Sequence, residues 1–204
     1  MEDLAATHPV FMLKHARAVE KEQIAQFELR FDRMYDKGHV WARRMNGYFR
    51  LGIDDFTRKL LGRIEDIRLP QVNTSVKSGD PIWIIYGNGR TLHMYTPIEG
   101  KLIDFNPDII VNPNLISIDP YDRGWISTFE PVDLLQASNA LLAGRSAKEW
   151  LQNVAERFYD LVHEETGIHL NPESPIPEDF ARLIHENVWK KLDKNFFMPK
   201  EPRK

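Results

Sequence analysis

The sequence predicts an α+β protein with a mainly β core, preceded by an N-terminal helix and followed by a C-terminal helical extension. Three observations predict it. Between residues 39 and 129, short β-branched and aromatic runs recur at close spacing, broken by Gly, Pro and Asn, which points to a sandwich or barrel rather than a βαβ sheet. After Pro131 the apolar residues switch to a helical period. In the middle, PIWIIYGNGRTLHMYTP (residues 81–97) sets two apolar runs around Asn88-Gly89, a dipeptide that tolerates the positive φ of a tight hairpin turn. The expected organisation is a helical segment over residues 1–37, a β domain over 38–131 and a helical extension over 132–204.

Each element has its own signal. Ile24, Phe27, Phe31 and Met34 recur every three or four residues, which predicts an amphipathic helix over residues 22–34, with Leu29 the one apolar exception on its polar face and Asp36-Lys37-Gly38 as its stop. Residues 39–43 and 48–53 read as a hairpin around Met45-Asn46-Gly47. Asp54 is placed to cap a short helix over residues 55–61 that Gly62 closes. Strands follow at 64–69, in the central hairpin with its tip in solvent, at 100–105 and at 124–129, with an Asn- and Pro-rich loop between the last two. Beyond Pro131 come a short helix ending at Gly144, a long one capped by Ser146 and closed by Gly167, and a third carried by Phe180, Leu183, Ile184, Val188 and Leu192. A basic tail, residues 200–204, is expected to fray.

Composition excludes several chemistries. With no cysteine there is no disulfide, thiolate nucleophile or cysteine-held cluster. A formal net charge of −3 and a pI near 6.2 supply no global field for a polyanion, so nucleic acid is not an expected partner. No apolar window approaches a membrane span and the first residues lack a signal-peptide core, so a cytoplasmic protein with no membrane partner is expected. The seven histidines form no metal-binding helical spacing, and the aspartates are spread over turns, so no metal site is expected.

One series of residues carries a family resemblance. LGIDDFTRKLLG (residues 51–62), Leu69-Pro70, VKSGD (76–80), YTPIEG (95–100), Asn112-Pro113-Asn114-Leu115, Asp119-Pro120-Tyr121 and Gly124-Trp125, with His39-Val40-Trp41 upstream, together resemble the H protein of the glycine cleavage system over roughly residues 39–131. The resemblance implies a lipoyl-domain-like fold, a flattened β-barrel or hybrid sandwich. It also implies a non-catalytic carrier, in which a lysine at the tip of the central hairpin, within a motif like Glu-Ser-x-Lys-Ala, bears lipoic acid on a swinging arm.

Here the position matching that lysine is Gly89, and the residues before it are Tyr86, Gly87 and Asn88. Glycine has no amine to acylate, and the neighbouring Arg90 guanidinium stays protonated and is no acceptor for an amide. Lys77 and Lys101 flank the hairpin without projecting from its tip. No bound lipoate is therefore expected. The leading expectation is a non-lipoylated, H-like protein that acts by binding other proteins, as an accessory or regulatory scaffold near lipoate-dependent or redox enzymes of the glycine-cleavage type. Tyr86, Gly87, Asn88, Arg90 and His93 are its candidate recognition residues, with the helical extensions a possible means of homo-oligomerisation. The alternatives are a lipoyl or other acyl carrier modified at a different lysine, and an enzyme with a site between the β domain and the C-terminal helices.

Overall fold

The computed structural model describes residues 19–198; the first residues and the basic tail, for which the absence of a signal peptide and fraying are expected, lie outside the described residues. Where a helix is expected, the chain forms strands β1 (Lys21–Ile24) and β2 (Phe27–Arg30), then β3 (Met34–Tyr35). The cause of the difference is geometric. Ala25 and Gln26 make a two-residue turn, with Ala25 at φ 52°, so Ile24 and Phe27 pair directly across it. A three-residue interval is thus produced by the hairpin loop, and mimics the first step of a helical stripe. Leu29, the misfit on the helical reading, is buried beside Phe27 at a spacing of two, as a strand requires. Asp36-Lys37-Gly38 then turns the chain from β3 into β4, with the Asp36 carboxylate accepting from the Gly38 amide at 2.8 Å.

Strands β4 (Val40–Arg44) and β5 (Phe49–Ile53) form the expected hairpin, and α1 (Asp55–Leu61) starts at Asp54, whose carboxylate accepts from the Thr57 amide. Next come β6 (Ile64–Arg68), β7 (Ser75–Val76), the central hairpin β8 (Pro81–Gly87) and β9 (Arg90–Tyr95), β10 (Gly100–Phe105) and β11 (Ser127–Pro131). The expected loop before β11 instead holds α2 (Pro107–Val111) and α3 (Leu115–Ile118). Asn106 caps α2 and Pro107 opens it, a place where a missing amide costs nothing. Six strands pair in the order β3-β4-β5-β11-β10-β7, three in the order β6-β8-β9, and β1-β2 stand as a separate ribbon. None of these sheets closes on itself, so the architecture is α+β with open sheets rather than a barrel.

The extension begins with α4 (Leu134–Asn139) and α5 (Gly144–Thr166), closed by Gly167 in the left-handed conformation. Ser146 lies inside the first turn of α5 instead of before it, and its hydroxyl both donates to the Ala143 carbonyl and accepts from the Ala143 amide. The expected third helix is broken. It forms α6 (Phe180–Leu183), an extended Ile184, α7 (Glu186–Leu192) and a π-helical turn at Asp193–Phe197. Rings from the ribbon, α1 and the extension meet in one core: Phe56 of α1 lies 5.0 Å from Phe27 of β2, 5.6 Å from Phe158 of α5 and 5.2 Å from Phe196 of the π-turn. The extension is thereby built into the body of the protein. No helix among the described residues is long and apolar enough to cross a membrane.

Candidate functional site

The central hairpin is organised by its turn. Gly87 pairs with Arg90, leaving Asn88 at φ 47° and Gly89 at φ 73°, the two positive values that a two-residue hairpin of this twist needs. Gly87 fills a second requirement: a Cβ there would come within 2.5 Å of the Arg63 carbonyl, where β6 crosses closely. A Cβ on Gly89 meets nothing within 4 Å, so this position faces open space.

Its neighbours do not, and the expectation of a tip wholly in solvent is corrected here. Asn88 is buried, and its amide donates to the Leu61 carbonyl at 3.0 Å and to the Glu178 carbonyl at 2.8 Å. The Arg90 side chain is only 13% exposed. Its Nε donates to the Ala181 carbonyl at 2.8 Å, one Nη to the Ile184 carbonyl at 2.5 Å and the other to the Glu186 carboxylate, with the ring of Trp189 5.8 Å beneath. Two of the three acceptors are backbone carbonyls where α6 ends and the chain extends, groups left without a helical amide. Arg90 is thus a cap on the end of α6, and the break between α6 and α7 is the feature it grips.

The remaining predicted residues divide. Tyr86 points to the other face of the hairpin, with the Arg68 guanidinium 5.2 Å over its ring. His93, exposed on β9, faces the π-turn: burial raises the Asp193 carboxyl above its ordinary range, and the nearby His93 acts in the opposite direction. Lys77 and Lys101 stand away from the tip. Lys77 belongs to the turn whose Gly79 amide bonds to the Thr96 carbonyl beyond the far end of β9, and Lys101 lies in β10 opposite Glu130.

A second constellation was not singled out in the sequence. His39, at φ 67°, is fully buried, and its Nδ1 lies 2.7 Å from the carboxylate of Asp54, the α1 cap. Its ring stacks on Phe56 at 4.3 Å, with Trp150 and Phe197 at 5.0 and 5.3 Å, and Nε2 has no hydrogen-bond partner among the described residues. His39 and Asp54 each carried a signal, but only the fold joins them. His39, though not Asp54, borders a cleft of about 760 Å³ between the β turns and the C-terminal elements, together with Tyr95, Arg157 and Phe196. His39 is fully buried and its Nδ1 is taken up by Asp54, so the pair serves as an internal brace between the β4 entry and α1. Among the described residues no group of three or more His, Asp or Glu is arranged to hold a metal.

The family model for the glycine cleavage H-protein matches residues 33–154. The chain belongs to this family. Glycine cleavage system H protein 4 of Aquifex aeolicus is 31% identical over 147 residues, covering 72% of this chain and 81% of its own. The glycine cleavage system H protein of Anaeromyxobacter sp. strain K is 35% identical over 106 residues, covering 52% of this chain and 83% of its own. In fold, the H protein crystal structure from Mycobacterium marinum superposes with a TM-score of 0.54 at 24% identity, over 62% of this chain and 98% of the other. The family is one of carrier components, not of catalysts. In this H-family chain the matched region ends within α5. The Ala181 and Ile184 carbonyls, the Glu186 carboxylate and the Trp189 ring that meet the Arg90 side chain, and the Glu178 carbonyl that holds Asn88, all come from the segment beyond it.

Proposed function

We propose that this H-family protein is not a lipoyl carrier and acts instead by binding proteins, as an accessory or regulatory component beside enzymes of the glycine-cleavage or a related lipoate-dependent type. The observation that carries this reading is the hairpin tip. Gly89 occupies the position of the expected lysine with no side chain to acylate, and the residues on either side are engaged by the chain's own C-terminal segment. A swinging arm needs a free, accessible amine; a clamped tip suits a fixed surface.

The reading is tested by intact mass of the full-length protein purified from its native host. The expected result is the mass of the unmodified chain. An added lipoyl or other acyl mass on any lysine overturns it in favour of a carrier.

A further inference from the structure

The outer face of the six-stranded sheet carries a charge arrangement that no ion pair among the described residues neutralises. Arg43 of β4 and Arg50 of β5 are register partners, so two cations stand directly opposite each other, a pairing that disfavours the sheet. Arg33, in the adjoining segment, is close enough for Arg43 to act against its charge. The acids at hand are engaged elsewhere: Asp122 accepts from Arg30 and Arg33, both at 3.1 Å, and Asp32 is paired with Arg33. Along the row Arg50 is followed by Thr128 and then by Asp104, two strands away. Among the described residues neither Arg43 nor Arg50 has an ion-pair partner.

What surrounds these arginines is aromatic. The loop after α3 crosses the sheet with the Trp41 indole donating to the Pro120 carbonyl at 3.1 Å, and it ends with half-buried Trp125 stacked on Arg50 at 4.4 Å. The turn from β4 to β5 leaves Met45 and Tyr48 38% and 40% exposed. Arg, Trp, Tyr and Met are the residue types that protein interfaces enrich. A planar guanidinium fixed on an indole is preorganised for a carboxylate.

We infer that Arg43, Arg50 and Trp125 form a docking face for a protein segment rich in Asp and Glu. The inference rests on the protein-binding reading above and gives it a surface, away from the occupied hairpin tip. Two opposed arginines with aromatic neighbours, on a chain of net charge −3, suit a short acidic segment better than the long backbone of a nucleic acid.

The test uses the full-length protein with a labelled octaglutamate peptide, and an oligothymidylate of equal length as competitor, at low salt. The peptide is expected to bind, to shift the Trp125 indole resonance and to be displaced by salt. Arg43→Gln/Arg50→Gln is expected to weaken it about tenfold, as loss of charge-assisted hydrogen bonds does, while Arg145→Gln on α5 leaves it unchanged. Arg43→Gln alone is expected to melt no lower than the parent, because among the described residues that arginine has no ion-pair partner and stands opposite Arg50.

An unmoved Trp125 resonance, equal affinity in the double variant, tighter binding of the oligonucleotide, or a marked loss of stability in Arg43→Gln each overturns the inference. The intact mass separates the two failures. Failed peptide binding by an unmodified chain removes this face and leaves the non-carrier reading standing, whereas an acylated chain that binds peptide does the reverse.

Discussion

Arg90 and the Arg43–Arg50 pair are the same residue type in opposite circumstances. Arg90 is clamped: three nitrogens reach two backbone carbonyls and a carboxylate supplied by the chain's own extension. Arg43 and Arg50 face each other and, among the described residues, have no ion-pair partner. A guanidinium satisfied inside its own chain has little left to offer a partner, and one held against a like charge gains by meeting an anion. The difference shows where free binding capacity lies. The tip, which the family resemblance marks as the working end, serves internal architecture here, whereas the outer sheet face holds two arginines that have no ion-pair partner among the described residues.

The largest effect is expected from Arg90→Ala, which leaves the Ala181 and Ile184 carbonyls without their donor. Loss of charged-donor hydrogen bonds of this kind costs about 2–3 kcal/mol. Urea denaturation measures that loss, and hydrogen exchange locates it as faster exchange in α6 and α7 with little change in β4 and β5. Uniform loss of protection would mean that the clamp is not local. Next is Asn88→Gly, which keeps the positive φ and removes only the amide that bridges Leu61 and Glu178, at a cost of about 1–2 kcal/mol. A wild-type midpoint in that variant would show the bridge to be dispensable.

Asp193→Asn gives a smaller, pH-dependent gain. Because burial raises this carboxyl in the folded state, the fold binds its proton more tightly than the unfolded chain does. Its contribution is therefore fully present below the ordinary carboxylate range and is lost as pH rises through the raised value. The amide variant should melt above the parent at neutral pH, with the gap closing as pH falls toward about 4. A gap that widens on acidification has the wrong sign for this account. The smallest stability change, within about 0.5 kcal/mol, is expected for Arg43→Gln, the variant that sharpens the comparison by lowering acidic-peptide binding without harming the fold.

Much of the β core could be read from the chain because its signals are local. Asn88-Gly89 dictates its turn, Asp54 its cap and Gly167 its stop, each through the conformation of one or two residues. The N-terminal ribbon is not legible in the spacing, because a two-residue turn brings Ile24 opposite Phe27 and the interval alone does not separate that from one turn of helix. The open sheets were also not legible, since closure depends on long-range register. Least visible was the clamp on the tip. Arg90 reaches residues more than ninety positions away, and its main acceptors are carbonyls, which every residue possesses and no side-chain pattern advertises. The absence of an acylable group at Gly89 was visible, but its engaged neighbours were not.

The central claim is that this H-family chain keeps the scaffold and has given up the arm. Intact mass of the protein from its native host, followed by peptide mapping of every lysine, tests it most directly. The account predicts a single species at the mass of the unmodified chain, whereas a lipoyl or other acyl group on any lysine contradicts it.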